Sequence, residues 1–336
     1  MYVQIGAAWP PWIRFVIKSA ATNDPTVAFY FLGPPLAFVD PPCPNCISLP
    51  LDEGMLHARI REILGLGAGS VTLDSKGRKL CDMKPMWASL FPEIRSRHEW
   101  IGYSDHDILL GDLASEVRRL GPEDELLTPA AWFPQPLTNG NLLLVRTSPK
   151  MVLAYRRSPY WRAALHQPTI YVFDEHWGTS GPGMHQVYHD MHLSGQLGAR
   201  PTRQLLLQDI VFMRGKRHKG LYPTIASYGA SARITWSSGR LTALRDGPCV
   251  CSAQVWDNVD LGGCAECLTQ PDRVHESIRV RRRLPALGFH FQVFKSHWRI
   301  KTRAPGSLHD FVPQHCASGN MTRFEVTLSA GFQCLA

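Results

Sequence analysis

The stretch HEWIGYSDHDILLGDL, residues 98–113, decides how the chain is read. Apolar residues run up to Asp105-His106-Asp107 and resume at once with Ile108-Leu109-Leu110. Carboxylates that end a buried strand are costly unless something pairs with them. The candidates are a metal ion, a basic side chain, or water at the strand end. In a regular strand, residues two apart share a face. Where the chain turns, Asp105 and Asp107 can therefore reach one hard cation. Mg2+ or Mn2+ takes oxygen ligands and leaves positions open for phosphate. A lone D-x-D is a weak signal, and its ordinary reading is two solvated turn carboxylates. The apolar runs on both sides argue instead for a turn close to the core.

Outward from this stretch, the pattern alternates helices with short apolar strands. Residues 10–22 read as a helix opened by Pro and stopped by Asn23-Asp24-Pro25. TVAFYFLG is an apolar run of β-formers ended by Gly33-Pro34-Pro35. A strand near Ile47, a helix over 52–65 and another over 82–97, with Asp82 as N-cap, precede the strand EWIGYSD. A helix from Asp112 to about Leu120 follows, then strands in PAAWF and GNLLLVR, a helix over 148–157, apolar TIYVF and a His-rich helix. That order predicts an α/β sheet with helices on its faces, open at the carboxyl ends of its strands. From 203 onward, QLLLQDIVFM, ARITWSSGRLTAL and HFQVFKSHWRI read as strands or hairpins. The expectation is one domain over 1–336, divisible into a core at 1–200 and a β-rich part at 201–336 that packs back on the sheet.

The bulk numbers bound the partners. With 44% hydrophobic and 19% charged residues, the 336-residue chain is globular and long enough to bury a real core. A net charge of +8 favours anionic partners such as nucleotide phosphates, nucleic acid or an acidic polymer. No apolar run approaches a membrane span, and the opening MYVQIGAAWPPWIRF lacks the pattern of a signal peptide. The compartment reads as the cytoplasm, or the Golgi lumen if an upstream anchor is missing. Nine cysteines include the pairs Cys43/Cys46 and Cys264/Cys267, with Cys249 and Cys251 upstream of the second. Zinc, disulfides and free thiols all stay open for them. His185 and His189 lie one helical turn apart, but no Glu completes a metalloprotease motif. RVRRRL at 279–284 is a basic cluster whose ordinary reading is a solvated face.

The block KLCDMKPMWASLFPEIRSRHEWIGYSDHDILLGDL resembles the central block of glycosyltransferases of the GT-A fold. It is most similar to a glycosyltransferase-like family related to polysaccharide-synthesis enzymes. The shared pattern is an acidic-x-Lys-Pro helix (Asp82-Met83-Lys84-Pro85), an aromatic-Gly strand (Trp100-Ile101-Gly102), the D-x-D, and Gly111-Asp112. WPPWIRFVIKSAATNDPTVAFYF resembles the family's opening, NGNLLLVRTSPKMVLAYRRSPYW its Gly-apolar-Arg segment, FDEHWG its acceptor-side motif and GFHFQVFK its closing block. The likeness covers most of 9–178 and 288–296. The chain departs from the pattern at Leu32-Gly33-Pro34, where the family often has an acidic residue, and in MYVQIG, where an opening strand is barely present.

The resemblance implies a GT-A-like nucleotide-diphospho-sugar transferase fold with a mixed, mostly parallel sheet. It implies a sugar moved from a nucleotide-sugar to a glycan or other hydroxyl acceptor, with a divalent cation, Mn2+ or Mg2+. In that reading Asp105 and Asp107 hold the cation, and Asp107, nearer the turn, is the more direct ligand. His290 supplies a third ligand and Lys295 a charge for the diphosphate. Lys84 reaches a phosphate or ribose, or caps Asp82. Asn139-Gly140 is either a plain turn or a close backbone approach to the donor sugar. Asp174 or Glu175, after the strand TIYVF, acts as general base for the acceptor hydroxyl. The alternative is a non-catalytic GT-A-fold protein that binds glycan or serves assembly. A nucleic-acid-binding protein lacks the interleaved aromatic and basic motif that reading needs.

Overall fold

The computed structural model describes residues 1–10, 12–36, 43–67, 71–73, 77, 79–129, 140–175 and 183–202, and beyond them the strand segments 205–208, 233–237, 240–250, 277–290, 323–327 and 331–335. Beyond 202, side chains are described only at 235–237, 241 and 242. The fold is mixed α/β. Three parallel strands come first: β1 (Tyr2–Val3), β2 (Phe29–Gly33) and β3 (Cys46–Pro50), in spatial order β1-β2-β3. Helix α1 (Ile13–Ala21) links β1 to β2 and buries Ile13, Phe15, Val16, Ile17 and Ala20. This apolar stripe packs against β3 and the later strand β5 (Ile108–Leu110).

Helix α2 (Glu53–Arg59) starts at Asp52, whose carboxylate accepts the Met55 backbone N–H. It runs on as a π-helical turn over Ile60–Leu64. The expected helix over 82–97 is broken into α3 (Leu80–Met83), a 3-10 turn at Lys84–Met86, α4 (Trp87–Leu90) and α5 (Pro92–Arg95). Pro85 and Pro92 explain the breaks, since each lacks an N–H and crowds the preceding turn. Asp82 lies inside α3 and is not its N-cap.

A second sheet has the order β4-β7-β6-β8, from β4 (Trp100–Ser104), β6 (Leu126–Thr128), β7 (Leu142–Arg146) and β8 (Ala199–Pro201). β7 is antiparallel to both β4 and β6, so this sheet is mixed rather than mostly parallel. Between lie α6 (Leu113–Val117), capped by Asp112, then α7 (Pro149–Val152), a 3-10 turn at Ala154–Arg157, α8 (Trp161–His166) and α9 (Met184–Leu193). The third sheet takes β5 as one end strand: β14-β13-β10-β11-β12-β5, with β9 (Leu205–Gln208) also on β12. Its other members are β10 (Arg233–Ser237), β11 (Arg240–Val250), β12 (Ser277–His290), β13 (Arg323–Thr327) and β14 (Gly331–Leu335). Apart from the parallel β9–β12 pair, its ladders are antiparallel.

TIYVF is not a strand. Tyr171 and Phe173 direct their backbone N–H groups to the carboxylate of Asp82, at 2.8 and 2.9 Å. With those donors taken, no ladder forms there. Val172 between them has φ 63°, a left-handed conformation that costs a β-branched residue ~1–3 kcal/mol. PAAWF, apart from its first residue, lies outside the described residues.

Candidate functional site

Asp105-His106-Asp107 is the hinge between two sheets. β4 belongs to the second sheet and β5 to the third, and the three residues between them make the crossing. The crossing is pinned from both sides. The Asp105 backbone N–H donates to Asn141 O at 2.9 Å. Just beyond it, the Leu110 N–H donates to Ser19 Oγ at 3.1 Å and the Leu113 N–H to Asn23 Oδ1 at 2.9 Å. Ser19 and Asn23 thus explain the polar end of α1: they tie the helix to the chain after the hinge.

The hinge brings Asp105 onto Lys84. The Lys84 ammonium lies 2.6 Å from Asp105 Oδ1 and 2.9 Å from Asp174 Oδ2, and donates to Gly140 O at 2.7 Å. One buried cation therefore joins the end of β4 to Asp174, which lies 90 residues from Lys84 along the chain. Burial alone would pull the Lys84 pKa down, but Asp105 and Asp174 outweigh it and hold the amine well above its ordinary value. Asp174 is only 2% exposed, and burial pushes its carboxyl up to about 8 against the opposing pull of Lys84. Its second oxygen, Oδ1, is buried with no hydrogen-bond partner among the described residues. Burial also pushes the nearby Cys81 thiol up.

Gly140 is demanded by contact. A Cβ there would lie 2.1 Å from Glu175 Cγ and 2.6 Å from Asp174 Oδ2. The bare backbone lets residues 174 and 175 sit against the β7 entry. Lys84, Asp105, Gly140, Asp174 and Glu175 are thus brought together.

The remaining candidates are placed otherwise. Asp107 is fully buried, and it is Asp105, 19% exposed, that meets the cluster. The backbone of His290 pairs with Ile108, one residue beyond Asp107, so β12 does return to the D-x-D crossing. The His290 side chain, Asn139 and Lys295 lie outside the described residues. Lys84 does not cap Asp82, whose partner is Lys79 at 3.0 Å. Lys79 also donates to the carbonyls of Ala164 and Thr169. This second buried pair fixes residues 164–173 and with them the position of Asp174. Sequence reasoning passed over Lys79; its signal was the i, i+3 spacing to Asp82.

Elsewhere, Cys43 and Cys46 form a disulfide. His185 and His189 stack with ring centroids 6.2 Å apart on α9. The RVRRRL cluster falls within β12. Of Cys249, Cys251, Cys264 and Cys267, only the backbone of Cys249 is described. Among the described residues, no three His, Cys, Asp or Glu side chains converge as a metal site. No helix among them is long and apolar enough to cross a membrane.

Two solved structures are similar in part. The apo form of mouse xyloside xylosyltransferase 1 matches 58% of this chain and 80% of its own, at 12% identity and a TM-score of 0.32. The apo form of the glycosyltransferase GlyE of Streptococcus pneumoniae TIGR4 matches 60% of this chain and 45% of its own, at 12% identity and a TM-score of 0.29. No curated protein matches the sequence. Residues 4–245 match the model of one family, and the chain accordingly belongs to DUF6625, a family of unknown function.

Proposed function

We propose that the chain is a GT-A-type glycosyltransferase that moves a sugar from a nucleotide-sugar donor to the hydroxyl of a glycan or similar acceptor. The observation that carries this reading is the meeting of Asp105, at the end of β4, with Asp174 over the single ammonium of Lys84. A transferase needs a donor-side carboxylate and an acceptor-side base within one substrate's reach, and these are the two positions the D-x-D resemblance names. Asp174 suits the base. Its raised pKa makes it a stronger proton acceptor, and its Oδ1 has no hydrogen-bond partner among the described residues. As the acceptor oxygen bonds to the sugar carbon and the bond to the diphosphate breaks, Asp174 takes the hydroxyl proton. Glu175, against Gly140, is the second carboxylate at that position. Lys84 keeps both aspartates oriented and offers positive charge to the departing diphosphate.

The carboxylates suit a hard cation by their oxygen chemistry, and Asp105 Oδ1 already binds one positive charge, that of Lys84. Asp105, with Asp107 and His290, would hold Mn2+ or Mg2+, which would neutralise the leaving diphosphate. The decisive experiment assays the purified chain against a panel of nucleotide-sugars, with Mn2+, Mg2+ or EDTA. Turnover of one donor that is lost in EDTA and in Asp105→Asn supports the reading. Absence of both turnover and nucleotide binding across the panel refutes it.

A further inference from the structure

Between Glu125 and Asp174 the chain has no acidic residue, yet it carries Arg146, Lys150, Arg156, Arg157 and Arg162. Two of these charges are neutralised from elsewhere: Arg146 pairs with Glu99 and Lys150 with Glu125. The other three side chains are exposed, and none of them meets a carboxylate among the described residues. Neutral groups hold them instead. Arg156 Nε donates to Tyr155 Oη at 3.1 Å, and Arg157 donates to Gln196 Oε1 at 2.7 Å. The Arg162 guanidinium lies 4.8 Å from the centre of the Trp161 ring. Such partners fix a guanidinium without cancelling its charge.

The three arginines sit on elements that pack together. The Tyr155 and Trp161 rings meet edge to face at 5.3 Å, which makes neighbours of the arginines they hold. Helix α9 packs on the 3-10 turn at Ala154–Arg157, and Gln196 lies in the turn that follows α9. The same elements carry exposed apolar side chains. Among the described residues four large hydrophobic side chains are more than a third exposed, and three of them are here: Leu153 at 41%, Tyr160 at 37% and Leu193, the last residue of α9, at 70%.

Positive charge that no carboxylate answers calls for an anionic partner. The leucines narrow the choice. They offer nothing to a sugar hydroxyl or to a free phosphate, and leucine is under-represented among the residues that carry protein–protein binding energy. Single leucines and a tyrosine set among arginines suit the boundary of a bilayer. There the charges meet anionic head groups and the apolar side chains reach the acyl region.

We infer that the face formed by α7, the 3-10 turn at Ala154–Arg157, α8 and the end of α9 docks the protein on an anionic lipid bilayer. Arg156, Arg157 and Arg162 face the head groups, and Leu153, Tyr160 and Leu193 enter between them. The contact is peripheral, because none of these helices has the length to span a bilayer.

The test is co-sedimentation of the full chain with vesicles of phosphatidylcholine alone and of phosphatidylcholine mixed with phosphatidylserine. Wild type is compared with Leu193→Asp and with the triple variant Arg156→Gln, Arg157→Gln, Arg162→Gln. All these side chains are exposed, so melting curves of the variants should match wild type and exclude misfolding. Binding is expected on the mixed vesicles only. The triple variant should weaken it by ~100-fold, since each basic residue near an anionic surface contributes about a factor of 5. Leu193→Asp should weaken it by ~10-fold, through lost apolar burial. Failure of wild type to bind the mixed vesicles at low salt would overturn the inference, as would full binding by the triple variant. Binding that Leu193→Asp leaves unchanged would also overturn it, because the face would then serve a soluble polyanion through charge alone.

Discussion

Two buried lysine clusters lie within six residues of one another, and they are built to opposite rules. In the first, Lys79 and Asp82 are both fully buried and matched one to one. Asp82 also accepts two backbone N–H groups, and Lys79 donates to two carbonyls. Charge and hydrogen bonding close on themselves. In the second, Lys84 faces two aspartates, Glu175 lies close by, and Asp174 keeps one oxygen without a donor among the described residues. Among the described residues, three carboxyl groups gather near one ammonium. A closed cluster holds a fold, whereas one that leaves a buried carboxyl oxygen without a donor is a candidate functional site. The first cluster also serves the second, because the bonds from Asp82 to residues 171 and 173 deliver Asp174 to Lys84.

The comparison is most easily broken at Asp82. Asp82→Ala strands a buried ammonium and two backbone donors, so urea denaturation should show a loss of ~3–5 kcal/mol. A loss below about 1 kcal/mol, within the range of ordinary surface substitutions, would deny that the first cluster is structural.

Lys84→Met should cost less, about 1–3 kcal/mol at pH 8, because Asp174 can escape by protonation. The Lys84 pKa is raised, so its stabilising charge is fully present below its ordinary value of 10.5 and is lost only in stronger alkali. The cost of the substitution should therefore shrink as the pH falls and Asp174 takes up its proton. A cost that does not vary between pH 5 and pH 8 would separate Lys84 from Asp174 energetically.

Gly140→Ala drives a methyl into Glu175 and Asp174, an overpacking of about 1–3 kcal/mol. Its effect on sugar transfer should exceed its effect on Tm, since the residues it displaces are the proposed bases. A variant with lowered Tm and full turnover would move the site away from residues 174 and 175.

Asp174→Asn should lower transfer by ~10²–10⁴. Its folded pKa of about 8 exceeds the ordinary 3.8, so the folded state holds more proton between those values. Wild-type stability therefore falls as pH rises through that window, and the amide variant should lack this fall. Melting curves at pH 5, 6, 7 and 8 check the sign. A wild type that gains stability relative to the variant over this range would refute the raised pKa.

Several parts of this arrangement were legible in the linear chain because they rest on local rules. The stripe of α1, the strands at 29–33, 46–50 and 142–146, and a helix after Asp112 follow from side-chain period. TIYVF was misread because β-propensity is decided by neighbours, and Asp82, 89 residues away from Tyr171, takes the N–H groups that a ladder would need. The helix expected over 82–97 failed where Pro85 and Pro92 prevailed over the apolar period.

By itself the sequence singled out the residues proposed for the chemistry: a D-x-D set between apolar runs, a lysine before Pro85, and an acidic pair at 174–175. Only the tertiary structure decided their pairing. Whether Lys84 answers Asp82, Asp105 or Asp174 depends on where β4, β7 and residues 164–173 converge. A charge finds its partner through distance and burial, and neither is written in the spacing of residues along the chain.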